Sequence, residues 1–113
     1  VSAIPELDVM RALPEQSARA LARFTTINPS YRGADWSDCL SVLCDSDANL
    51  EVTEPLWEAL DDEGYINDDN RRFITPVTLT LYYAGDTPNL ENVKQGVAAV
   101  DWYLFKQANP GAT

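Results

Sequence analysis

Between Asp35 and Asn70 lie twelve of the chain's eighteen acidic residues and not one Lys or Arg. Ionised carboxylates in that number must stay in water, so any fold has to hold this stretch at the surface and turn only its apolar residues inward. Their spacing is helical. Trp36, Leu40, Leu43 and Cys44 recur at three- and four-residue intervals, and Leu56, Trp57 and Leu60 gather on one side of a second segment whose other side carries Glu54, Glu58, Asp61 and Asp62. Asp35 or Ser37 is a cap for the first of these helices, Thr53 followed by Pro55 opens the second, and Gly64 ends it.

The flanking segments follow the same logic. Ile4-Pro5 opens an N-terminal helix with Glu6 and Asp8 in its first turn, where they complement the helix dipole. Leu7, Met10 and Leu13 form its expected buried side. Pro14 starts a second helix to about Thr26, with Ala18, Leu21 and Ala22 turned inward and Arg19 and Arg23 one turn apart on the polar face. Asn28-Pro-Ser-Tyr-Arg-Gly33 reads as a loop. Leu50-Glu-Val52 suggests a short strand, and residues 65–67 and 72–74 a hairpin across a polar connection. From Val77 to Tyr83 the apolar residues alternate as in a strand, yet Thr75-Pro76 opens the run and Gly85 closes it, so helix is preferred. The last helix, about 88–107, carries Leu90, Val93, Val97, Val100 and Leu104 on one stripe, widened by Trp102, Tyr103 and Phe105. The expected fold is mainly α: a single small domain over residues 1–113, with five or six helices and at most that short hairpin.

Chemistry is constrained by what the chain lacks. Without His it is missing the commonest general base and metal ligand. No Gly-rich phosphate loop and no Gly-x-Ser-x-Gly turn occurs. We expect no catalysis, no cofactor and no metal. Cys39 and Cys44 stand five apart, a spacing that turns them away from each other on a helix, so they read as free thiols in a reducing compartment. With no apolar run near the roughly 20 residues needed to span a bilayer, and no signal-peptide pattern in Val1 to Leu13, the expected location is the cytoplasm.

Two stretches resemble known families. Asp45-x-Asp-x-Asn49-x-Glu51-Val52 is similar to the front of an EF-hand calcium loop, but Leu50 replaces the required Gly and Leu56 the bidentate Glu. Leu56-Trp-Glu-Ala-Leu60-x-x-Glu-Gly64-Tyr-Ile66, followed by Arg71-Arg-Phe-Ile-Thr-Pro76, resembles the end of a winged helix-turn-helix domain, over about Trp36 to Gly85. That resemblance implies a recognition helix, a two-stranded wing and DNA binding. The helix in the recognition position, however, exposes acids where DNA-binding members present Lys and Arg.

A net charge of −10 disfavours nucleic acid and anionic membranes and favours a basic protein surface. The expected function is therefore a small acidic interaction module, an adaptor or an inhibitor that imitates nucleic-acid phosphates. Its expected contact residues are Glu54, Trp57, Glu58, Asp61, Asp62, Glu63, Tyr65, Asp68 and Asp69. The alternatives are a structural subunit, self-associating or assembled through the C-terminal helix, and a winged-helix DNA-binding regulator.

Overall fold

In the computed structural model the described residues are 5–44 and 50–111, with the side chains of residues 5–8, 44, 50 and 52 left out of the description. The residues 45–49 that carry the calcium-loop resemblance, and the Leu7 and Cys44 side chains, lie outside that set. Among the described residues six α-helices account for the fold: α1 (Pro5–Ala12), α2 (Pro14–Ile27), α3 (Trp36–Cys44), α4 (Leu50–Asp62), α5 (Arg71–Tyr83) and α6 (Leu90–Ala108), with a 3₁₀ turn over Pro29–Tyr31. The mainly helical expectation holds.

The structure corrects the strands. Leu50 to Val52 form the first turn of α4, residues 65–67 carry no strand, and 72–74 lie in the first turn of α5. No strand occurs among the described residues, so the two strands of a wing are not formed there. The cause is visible in the side chains of Asn67 and Asn70. Asn67 Oδ1 accepts from the Asp69 and Asn70 amides at 2.8 and 3.0 Å, while Asn70 Oδ1 accepts from the Asn67 amide at 2.8 Å. This reciprocal pairing closes a turn over 68–70 that leads directly into α5, and it occupies groups that a hairpin would have left for its ladder.

Helix α5 is the centre of the molecule. It is buried nearly all round, through Phe73, Ile74, Val77, Thr78, Leu79, Thr80 and Leu81, which explains why its sequence lacks a clean helical stripe. Its two polar members hide by bonding backward: Thr78 Oγ1 donates to the Ile74 carbonyl at 2.7 Å and Thr80 Oγ1 to the Pro76 carbonyl at 2.8 Å. One cluster, including Val9, Leu60, Phe73, Val77, Val93 and Val97, joins α5 to α1, α4 and α6. A second, including Ala20, Phe24, Trp36, Leu40 and Leu79, joins it to α2 and α3. Two indoles fasten this arrangement, Trp36 Nε1 donating to Thr80 Oγ1 at 2.9 Å and Trp57 Nε1 to Thr75 Oγ1 at 3.0 Å.

The buried face of α2 also differs from expectation. Ser17, Ala20 and Phe24 point inward, whereas Ala18 and Ala22 are exposed and Leu21 is half-buried. Phe24 decides the rotation, because it meets Tyr31, Trp36 and Tyr83 at ring separations of 5.2 to 6.0 Å. Val9 of α1 and Leu13, the residue between α1 and α2, enter the core, with Met10 half-buried.

Candidate functional site

Helix α4 and the turn after it carry all nine expected contact residues. The helix ends as its Gly requires: Gly64 takes φ +70°, the Tyr65 amide reaches the Leu60 carbonyl at 2.9 Å and the Gly64 amide the Asp61 carbonyl at 2.9 Å. That closure swings the chain so that Tyr65 and Ile66 fold back against the first core cluster. Trp57 and Tyr65 are half-buried, the former held by Thr75 and the latter donating its hydroxyl to the Lys94 carbonyl at 3.3 Å. Glu54, Glu58, Asp61, Asp62, Glu63, Asp68 and Asp69 are exposed.

The structure accounts for three of these acids without invoking a partner. Glu63 forms an ion pair with Lys94, which itself lies 5.6 Å from the centre of the Tyr65 ring. Asp68 and Asp69 stand at the N-terminal end of α5, where a negative charge is favourable. The other four have no such explanation. Glu54, Glu58 and Asp62 follow one another at four-residue intervals, with Asp61 beside them, so each neighbouring pair repels. Asp61 and Asp62 also close α4, the end whose dipole is negative. Among the described residues none of the four enters an ion pair.

A shallow cleft of about 240 Å³ opens in this surface. Trp57 and Ile66 supply its apolar lining, Glu58 and Asp61 its carboxylates, and Arg71 its single cation. Ile66 and Arg71 were not among the expected contacts; Ile66 is betrayed in sequence only by its place two residues past the Gly stop. Asp101 of α6 was also missed, being far outside the acidic stretch. Partial burial holds its carboxyl above the usual range, with nearby Asp69 adding to the effect and Arg72 opposing it, so the acidic surface continues onto α6. The Tyr65 phenol is likewise pushed up, by burial first and by Asp101 second, with Lys94 opposing.

No cluster of three or more His, Cys, Asp or Glu placed to hold a metal occurs among the described residues. Cys39 is fully buried in the second cluster, and burial, aided by Asp38 and Asp35, raises its thiol pKa, which disfavours the reactive thiolate. No helix among the described residues is long and apolar enough to cross a membrane. Comparison with protein families, with curated proteins and with solved structures finds no match.

Proposed function

We propose that this protein is a small interaction module whose acidic α4 face engages a basic surface on a partner protein. The observation that carries this reading is the position of Glu54, Glu58, Asp61 and Asp62. They repel one another, Asp61 and Asp62 also oppose the dipole of their own helix, and no cation of the described residues pairs with them. Charges that cost the fold stability point to a use outside it. Lys and Arg side chains of the partner meet these carboxylates, and the alkyl stem of one lies over Trp57 and Ile66 in the cleft. The field of the block steers encounter, so association slows and weakens as salt is added.

The test replaces Glu54, Glu58 and Asp62 together by Lys. The expected result is loss of the proteins that wild type captures from its host's lysate at about 0.1 M salt and releases at about 0.5 M, with far-UV circular dichroism unchanged. Capture of the same proteins by both, or capture indifferent to salt, sinks the reading. DNA binding has no place in this proposal, since α4 would bring four carboxylates against phosphate.

A second reading has its own observation. Near the end of α6, Trp102 and Phe105 stack at 5.5 Å and 16°, remain 47 % and 49 % exposed, and have Lys106 Nζ 5.7 Å from the indole centre. Such a patch supports a structural role, as a contact in a larger assembly or between copies. A monomeric mass at high concentration would remove the self-association form of this reading.

A further inference from the structure

The sign of the charge reverses on the opposite part of the chain. Residues 1–34 carry four Arg against three acids, a net of +1, while residues 35–113 carry a net of −11. Of the four, Arg19 and Arg23 lie one turn apart on α2, the helix packed along α5 on the side of the second core cluster. Between the C-terminal ends of α2 and α5 opens a groove of about 520 Å³, walled by Arg23, Ile27, Tyr82, Tyr83, Asp86 and Pro88. A second hollow of about 380 Å³ shares Arg23 and Ile27 and extends along α2 past Ala22 and Thr26.

Three details give the groove a chemical preference. Asp86, its one carboxylate, is taken by Arg19 at 3.4 Å. Arg23 has neither a hydrogen bond nor an ion pair with the described residues, so its guanidinium donors are open to a ligand. Its guanidinium lies beside Gly85, which follows α5 at φ +97°: a Cβ there would stand 3.4 Å from Arg23 Cζ, an ordinary contact distance. Around this charge Ile27 is 66 % exposed and Tyr82 45 % exposed, although both are residues that ordinarily seek cover. Arg and Tyr are the side chains that anchor protein interfaces.

We propose that this groove binds an acidic peptide segment bearing an apolar anchor: the anchor enters between Ile27 and Tyr82, and a neighbouring carboxylate pairs with Arg23. Two hollows in a row along α2 suit an extended or helical segment better than a compact small molecule. The groove, whose one carboxylate is already paired with Arg19, selects in a molecule of net −10 an anion that can bring its own apolar surface, and phosphate-rich polymers meet repulsion everywhere else.

The probe is a fluorescein-labelled hexapeptide, Glu-Glu-Leu-Phe-Glu-Glu, titrated with the full chain by fluorescence anisotropy in about 50 mM salt. Saturable binding is expected, with Arg23→Glu weakening it at least about tenfold and Tyr82→Ala weakening it severalfold. Arg32→Glu, a charge change of the same size outside the groove, is expected to leave affinity within about twofold. Near-UV circular dichroism identifies any variant that fails to fold, and Arg23→Gln then supplies the same test with a smaller charge change. No saturation up to about 1 mM protein overturns the proposal, as does equal loss in Arg23→Glu and Arg32→Glu. A wild-type dimer that Arg23→Glu dissolves also overturns it, by assigning the groove to a second copy's acidic helix.

Discussion

At the scale of single residues, a close approach of α5 and α6 rests on a missing side chain. Gly96 of α6 is buried, and a Cβ built on it would come 2.5 Å from Val77 Cγ1 of α5. Gly inside a helix costs roughly 1 kcal/mol relative to Ala, so its presence here reflects the approach of the two helices. Gly96→Ala is expected to lose about 1–2 kcal/mol net in urea unfolding, the overpacking exceeding the gain in helix propensity. In a Val77→Ala background the same change should cost less, because the clashing methyl is gone. An unaltered cost in that background would mean that the two helices are not held apart by this pair. Another residue-level feature, the Ser17 hydroxyl, is buried without a hydrogen-bond partner among the described residues and belongs to a face that the spacing of Ala18, Leu21 and Ala22 does not reveal. A serine facing the core gives no apolar signal, and Phe24 alone could have indicated the true rotation of α2.

At the scale of elements, the same reciprocal Asn pair occurs twice, as the capping box of α6 and as the turn that leads into α5. Asn89 and Asn92 exchange backbone and side-chain hydrogen bonds at 2.8 and 3.0 Å across the start of α6, as Asn67 and Asn70 do ahead of α5. In each, the second Asn also donates to the carbonyl five residues back, Tyr65 at 2.7 Å and Thr87 at 3.0 Å. The two differ in burial, Asn70 being buried and Asn92 half-buried. Asn70→Ala is therefore expected to cost about 2 kcal/mol and Asn92→Ala about 1 kcal/mol, since water can replace the lost partners more readily in the second. Thermal unfolding checks the order, and the reverse ranking would contradict this account. Most helices were legible because Pro14, Gly64, Gly85 and the start near Thr87-Pro88 punctuate them openly. Two starts were not. Pro55 and Pro76 each occupy the sixth position of their helix rather than the first turn, so α4 and α5 begin earlier than proline placement suggests. The Asn pair ahead of α5 reads as a polar loop in sequence, and the alternation from Val77 to Tyr83 arises because a helix buried nearly all round has no polar face to set its period. The acidic face of α4 was readable in full from four-residue spacing, whereas the Arg23 groove was not, as its walls come from residues about 60 apart in the chain.

At the scale of the whole molecule, charge is the quantity that conditions set. Repulsion within the α4 series costs a few tenths of a kcal/mol per neighbouring pair, and the broader field adds to it, so screening should stabilise the fold. Raising salt from about 0.05 to about 1 M is expected to lift Tm by about 4–8 °C, measured by circular dichroism. The Glu54, Glu58 and Asp62 reversal should raise Tm at low salt and flatten this dependence; a flat response in wild type would show that the acids do not burden the fold. The three tryptophans, finally, sit where the molecule's separate tasks would be felt. Trp36 is 1 % exposed in the second cluster, Trp57 borders the acidic cleft, and Trp102 is half in solvent near the end of α6. Their emission therefore divides by colour, from the sheltered Trp36 at the blue edge to the wetted Trp102 at the red. A ligand on the acidic face should perturb the middle of that spectrum, one on α6 its red side, and loss of the core its blue side, so that a single unlabelled sample reports where it has been touched.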